Sequence, residues 1–238
     1  MFFINAKVPE FFITLFFVLF TIFIIFISLY IFSHAFIFRT IIITHIIVSC
    51  GWRKLMKTGR KHLTVGEVQR LVDAARRGAN PERDVCLLWM CFNHGCRVSE
   101  IRHWKLSDID IHSGVIYIRR LKNGFSTTHP IYKQEIKTLT EWLRVRKNYP
   151  GNNSEWLFLS RNGQPLSRQR IYQMMKNLSL DAQLEINAHP HMLRHACGFA
   201  LANKGVDTRL IQDFLGHRNI QHTVIYTASN DARFREVW

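Results

Sequence analysis

From Phe11 to Phe38 the chain reads FFITLFFVLFTIFIIFISLYIFSHAFIF, without one Asp, Glu, Lys or Arg. That run exceeds the roughly 20 apolar residues needed to cross a bilayer. It is too long for a signal-peptide core, and no small-residue cleavage site follows it. Arg53, Lys54, Lys57, Arg60 and Lys61 come after it, and the positive-inside rule would leave the remainder in the cytoplasm. A second apolar run, Thr40 to Cys50, is too short to span. Two readings fit the first 55 residues: a membrane anchor with its helix over 11–38, or translated upstream DNA with Met56 as the natural start. The second is preferred, because Phe and Ile are encoded by A/T-rich triplets. Met56 also opens KTGRKHLTVGE, a basic lead into a capping box at Thr64 and Glu67. Either way the chain divides into an apolar extension, 1–55, and one domain, 57–238.

Within that domain, Glu67 to Arg77 has helical spacing, with Val68, Leu71, Val72 and Ala75 on one face. Pro81 suits a first helical turn, and ERDVCLLWMCFNHG reads as a largely buried helix stopped at Gly95. RVSEIRHW forms a short helix. Val115 to Leu121 then reads as a strand, Asn123-Gly124 as a tight turn and Phe125 to Ile131 as its partner. Lys133 to Asn148 is helical, Ser167 begins another helix, and helices near 190–204, 207–215 and 220–227 close the chain. The fold class is mainly α with a small antiparallel β-hairpin.

The formal net charge is +15. Residues 1–50 hold only Lys7, Arg39 and Glu10, so +14 of it lies in residues 51–238. Such a surplus on one compact domain points to a polyanion, either nucleic acid or an anionic membrane surface. The five cysteines, Cys50, Cys86, Cys91, Cys96 and Cys197, are odd in number and include no CxxC pair. They suggest neither a disulfide framework nor a thiolate metal site, and reduced thiols suit a reducing cytosol.

Six polar residues stand where elements begin or turn. Arg97 follows Gly95 in HGCRVSE, and Lys122 sits at the hairpin tip in RRLKNGF. His191 and Arg194 form an H-x-x-R on one helical face, His217 ends FLGH, and Tyr226 lies nine residues beyond it. Each has a plain structural explanation: an exposed helix-start charge, a turn lysine, a histidine capping a helix C-terminus. His191 and His195 are an i, i+4 pair, but the zinc-protease pattern needs Glu after the first His, where Met192 stands. Together the set suits a phosphodiester attacked by a side-chain oxygen. Two arginines can clamp the non-bridging oxygens bidentately, a lysine or histidine can protonate the leaving 5′ oxygen, and a tyrosine ester conserves the bond energy for a second transfer. No carboxylate cluster suited to Mg²⁺ is apparent.

GCRVSE, HPHMLRHACGFALANKGVDTRLIQDFLGH and HTVIYTASN resemble the catalytic domain of the tyrosine recombinases, the phage-integrase family. RRLKNGFSTTHP with TRLIQDFLGHRNIQHTVIYTASN is closer still to the short recombinases that invert fimbrial promoter switches in enterobacteria. The resemblance runs from about Leu63 to Trp238. It implies the tyrosine recombinase catalytic-domain fold and a site-specific recombinase that needs neither cofactor, metal nor ATP. Arg97 and Arg194 would hold the scissile phosphate. His191 and His217 would donate to its oxygens or handle the nucleophile's proton, Lys122 would protonate the leaving hydroxyl, and Tyr226 would form a 3′-phosphotyrosine. The implied partners are double-stranded DNA with inverted-repeat sites, three further copies in a homotetramer on two DNA sites, and accessory DNA-bending proteins. The implied location is the cytoplasm and nucleoid, or the inner membrane if residues 11–38 are an anchor.

Three departures stand out. Only some forty residues precede Arg97 if Met56 is the start, little chain follows Tyr226, and the apolar N-terminus has no counterpart in the family. The rival readings are a nicking and closing activity of the type IB topoisomerase kind, a non-catalytic DNA-binding regulator, and a membrane-tethered DNA-binding protein.

Overall fold

The computed structural model describes residues 60–121 and 124–228. The apolar run 11–38, Met56, Lys122 with Asn123, and the residues after Ala228 lie outside the described residues. No helix among the described residues is long and apolar enough to cross a membrane.

The element order is α1 (Val65–Arg76), α2 (Pro81–Asn93), α3 (Val98–Ile101), a 3₁₀ turn (Leu106–Asp108), β1 (Ile109–Asp110), β2 (Val115–Ile118), β3 (Thr127–Pro130), α4 (Lys133–Arg146), α5 (Arg168–Asp181), α6 (Pro190–Asn203), α7 (Thr208–Leu215) and α8 (Gln221–Ala228). The chain is thus mainly helical with one small antiparallel sheet, as its sequence implies. Thr64 caps α1 reciprocally: its Oγ1 accepts the Glu67 N–H at 3.2 Å, and Glu67 Oε2 accepts the Thr64 N–H at 2.7 Å. A cap of this kind is worth about 1 kcal/mol. Ser167 caps α5 by accepting the Arg170 N–H at 3.1 Å.

α2 is the central helix. Every residue from Arg83 to Phe92 is buried, and the helix packs against α1, α4 and α6. Cys86, Cys91 and Cys96 are fully buried in and just after it, and burial pushes the Cys96 thiol up to about 12. They act as small core hydrophobes, as their apolar surroundings suggest. A second knot of core joins α4 to the segment 156–159. Trp142 stacks on Phe158 with ring centroids 6.3 Å apart and donates Nε1–H to the Leu157 carbonyl at 3.0 Å. Each such buried aromatic contributes roughly 1.5–3 kcal/mol. Arg146, at the end of α4, donates to the carbonyls of Asn152, Ser154, Trp156 and Leu157, which fixes the irregular segment against the helix.

The sheet differs from the sequence expectation in two ways. Its order is β1-β2-β3, so a third strand, Ile109–Asp110, pairs outside β2. The hairpin ladder is also shorter, running only from Val115↔Pro130 to Ile118↔Thr127. It ends there because Arg120 donates its N–H to Ser126 Oγ at 3.2 Å instead of to a ladder carbonyl, while Phe125 is 62% exposed. Strand-like alternation runs through β2 and two residues past it: Ile116, Ile118 and Arg120 are buried while Tyr117 and Arg119 are exposed.

Candidate active site

α6 and α8 carry most of the site, and a glycine lets them meet. A Cβ on Gly198 would lie 2.6 Å from the Tyr226 ring, closer than any real methyl approaches, so α8 can lay its tyrosine on α6 only there. The Tyr226 ring also meets Phe199 edge-on at 5.1 Å. Tyr226 is 1% exposed, and burial raises its hydroxyl to about 12, against the pull of Arg194 and Arg97. The hydroxyl lies 3.0 Å from His195 Nδ1. A neutral imidazole with its proton on Nε2 accepts it. Burial, with His191 and Arg194 nearby, lowers His195 to about 4, so this ring is the neutral acceptor at ordinary pH.

Arg194 projects from the same helix and is 1% exposed. Its fork is held by two carbonyls, Gly95 at 2.5 Å on Nη1 and Leu215 at 2.8 Å on Nη2. Burial and the neighbouring Arg97 and Arg120 lower it to about 10, and it remains charged near neutrality. Arg97, the residue before α3, donates Nη1–H to Glu100 Oε1 at 2.8 Å while Glu100 Oε2 accepts its N–H at 2.9 Å. Burial pushes the Glu100 carboxyl up, but Arg120 and Arg97 outweigh it and hold the group below its ordinary value. Arg97 and His191 line one cleft of about 350 Å³, together with Ser99, Arg168, Tyr172 and His189. Arg168 lies 5.6 Å over the Tyr172 ring, so the cleft is lined by a second cation besides Arg97.

His217 follows Gly216, which caps α7 in the left-handed conformation at φ 66°. The His217 N–H closes the cap on the Gln212 carbonyl at 3.0 Å. Its ring stacks at 6.4 Å from Tyr226 and sets Nδ1 2.8 Å from the buried Thr223 hydroxyl. Burial, then Arg194 and Arg97, pull it down to about 3. His191, lowered by burial and Arg194, meets His195 edge-on at 4.5 Å.

The structure therefore brings together five of the six residues singled out in the sequence: Arg97, His191, Arg194, His217 and Tyr226. The sixth, Lys122, is outside the described residues. The sequence reading attaches no role to His195 beyond its spacing from His191, yet His195 is the side chain that touches the tyrosine oxygen. The available signal is its place one helical position after Arg194 on an element already marked. That reading also misses Arg120, buried with Glu100 at 2.9 Å, although strand alternation sets Arg120 in phase with Ile116 and Ile118. Chemically, the guanidinium groups of Arg97 and Arg194, neutral imidazoles and one tyrosine share a region in which the buried Glu100 carboxylate is already paired with Arg97 and Arg120. Such a site suits a phosphate and a nucleophilic oxygen.

The histidines also make folding pH-dependent. His129, His195 and His217 sit at about 3, 4 and 3 in the folded protein, against 6.5 for an unfolded histidine. The folded state therefore binds fewer protons, and its stability, full above pH ~6.5, falls as pH drops toward 4. The urea midpoint of unfolding is expected to be lower at about pH 5 than at about pH 7.5. An equal or higher midpoint in acid would contradict the neutral, buried state of these rings.

Comparison with known proteins shows the family of the chain. The phage integrase family model matches residues 61–233. The type 1 fimbriae regulatory protein FimB of Escherichia coli (strain K12) is 55% identical over 179 residues, covering 75% of this chain and 90% of FimB. FimE of the same strain is 48% identical over 180 residues, covering 75% of this chain and 91% of FimE. Among solved structures, the XerH site-specific recombinase bound to palindromic difH substrate, a post-cleavage complex, aligns with a TM-score of 0.63 at 27% identity. That alignment covers 74% of this chain and about half, 51%, of XerH.

Proposed function

Because the chain belongs to the phage integrase family, we propose that it is a site-specific DNA recombinase of the tyrosine type that inverts a promoter segment and so switches fimbrial expression. The observation that carries this reading is the Tyr226 hydroxyl, 3.0 Å from the neutral His195 and beside Arg194. A module that only binds DNA has no need of that arrangement.

In the proposed reaction the Tyr226 oxygen attacks the scissile phosphorus as the bond to the 5′ oxygen breaks. The tyrosine proton passes to an imidazole, for which His195 is the nearest acceptor. Lys122 supplies a proton to the departing 5′ hydroxyl. Arg97 and Arg194 balance the charge on the non-bridging oxygens, with His191 and His217 as further donors. Preorganised donors of this kind are worth on the order of 3–4 kcal/mol each. The 3′-phosphotyrosine keeps the bond energy, so the 5′ hydroxyl of a partner strand reverses the step without ATP or metal. With Tyr226 1% exposed, α8 has to shift on α6 before a phosphate reaches its oxygen.

Inversion needs two sites held together, which this reading assigns to a homotetramer on inverted repeats, aided by DNA-bending proteins. The expected location is the cytoplasm with the nucleoid, and the inner membrane only if residues 11–38 act as an anchor. A plasmid carrying two inverted sites is expected to yield the inverted isomer when incubated with the protein. Relaxation of supercoils with no change of orientation would instead favour a nicking and closing enzyme of the type IB topoisomerase kind.

A further inference from the structure

Arg120 lies two residues beyond β2 with a side chain that is 0% exposed. Its Nη1–H donates to Glu100 Oε2 at 2.9 Å and approaches the Gly95 carbonyl at 3.5 Å. Its Nη2–H donates to the carbonyls of His94 at 3.1 Å and Phe214 at 2.7 Å. These acceptors are shared with Arg97 and Arg194 or stand next to theirs. Glu100 gives its other oxygen to Arg97. Gly95 accepts Arg194 Nη1, and Leu215, the residue after Phe214, accepts Arg194 Nη2. One buried guanidinium thus spans the α2–α3 joint and the end of α7, the two walls that fix Arg97 and Arg194. Two close approaches hold it there. A Cβ on Gly216 would meet Arg120 Cγ at 2.9 Å, and one on Gly124 would meet Arg120 Cβ at 2.9 Å.

We propose that Arg120 is a positioning residue that sets the spacing of Arg97 and Arg194, through Glu100 and the Gly95 and Phe214 carbonyls, and so tunes the clamp on the scissile phosphate. The planar fork is essential, since an ammonium is a point charge that cannot serve acceptors on both walls at once. A shift of about 1 Å in groups that orient a reacting centre can cost on the order of 10²-fold in rate. The inference rests on the reading of Arg97 and Arg194 as that clamp, and its test separates the two.

Covalent protein–DNA formation is measured in single turnover on two suicide substrates. One has the natural scissile phosphate, and the other a neutral methylphosphonate that lacks the charge the clamp must balance. Arg120→Met is expected to slow the phosphate substrate about 10²-fold and the methylphosphonate far less. Equal losses on both substrates would mean a general structural role and overturn the proposal, as would an unchanged rate on phosphate. Arg120→Lys, which keeps a buried charge, is read by the same ratio should the Met variant not fold. Arg194→Lys serves as reference. If its losses are equal on both substrates, the clamp reading itself fails. If it discriminates and neither Arg120 variant does, only the role of Arg120 fails.

Discussion

Tyr226→Phe is expected to abolish the covalent protein–DNA complex on a suicide substrate while leaving a folded, DNA-binding protein. The substitution removes one oxygen and nothing else. The ring keeps its bed against Gly198 and Phe199, which is where its burial energy lies. The hydroxyl's bond to His195 is a single neutral hydrogen bond worth roughly 1 kcal/mol net, so loss of folding cannot account for loss of reaction. Other donors left in the site lower the barrier only for a nucleophile that is present. Among the described residues, Tyr226 is the hydroxyl placed against both Arg194 and His195. Denaturing gel electrophoresis after incubation reads the outcome directly: a shifted band that persists in the Phe variant would sink the assignment of Tyr226.

Replacing Arg194 has the second largest expected effect, and it acts on stability and activity together. Arg194→Ala removes both bonds to the Gly95 and Leu215 carbonyls. Leu215 is fully buried, and a buried polar group left unpaired costs about 1–3 kcal/mol. The variant should unfold at clearly lower urea. Arg194→Lys separates the two effects, because it keeps a cation in the cavity but not the bidentate fork. Its rate of covalent complex formation is expected to fall by about 10²–10³, the usual effect of losing one aligned donor to a developing oxyanion. Near wild-type rates in a folded Lys variant would show that charge alone suffices and that the geometry of the fork is irrelevant.

Much of the local architecture is legible in the amino-acid order alone. The capping box at Thr64 and Glu67 and the Ser167 cap are local devices, made by residues three apart, and the chain forms them as its spacing implies. The set Arg97, His191, Arg194, His217 and Tyr226 is legible for another reason. Each is tied to a local motif, an element start, an H-x-x-R or an L-G-H, so chemistry and position can be read together. The strand β1 is not, since two residues carry no periodicity of their own and depend on β2 for their ladder. The hairpin reads too long because the alternation continues through Arg120 after the hydrogen-bond ladder has stopped.

Arg119 and Arg120 show where reading by sequence ends. They are neighbours of one residue type in a basic chain. One is half exposed and sits 3.4 Å from Asp108, while the other is buried and bonded to Glu100 and to carbonyls as far as 94 residues away. Alternation tells that they face opposite sides of the strand, but not that one side holds a carboxylate and three carbonyls. His195 is a similar case, since its partner Tyr226 lies 31 residues along the chain. Which residue types the reaction has at hand, and on which elements they ride, follows from the order of residues, because caps, turns and periodicity are local. That His195 meets the tyrosine, that the histidines stay neutral and that Arg120 joins the two walls of the clamp follows from the packed fold alone. Desolvation and hydrogen-bond geometry depend on neighbours through space, and these are distant in sequence.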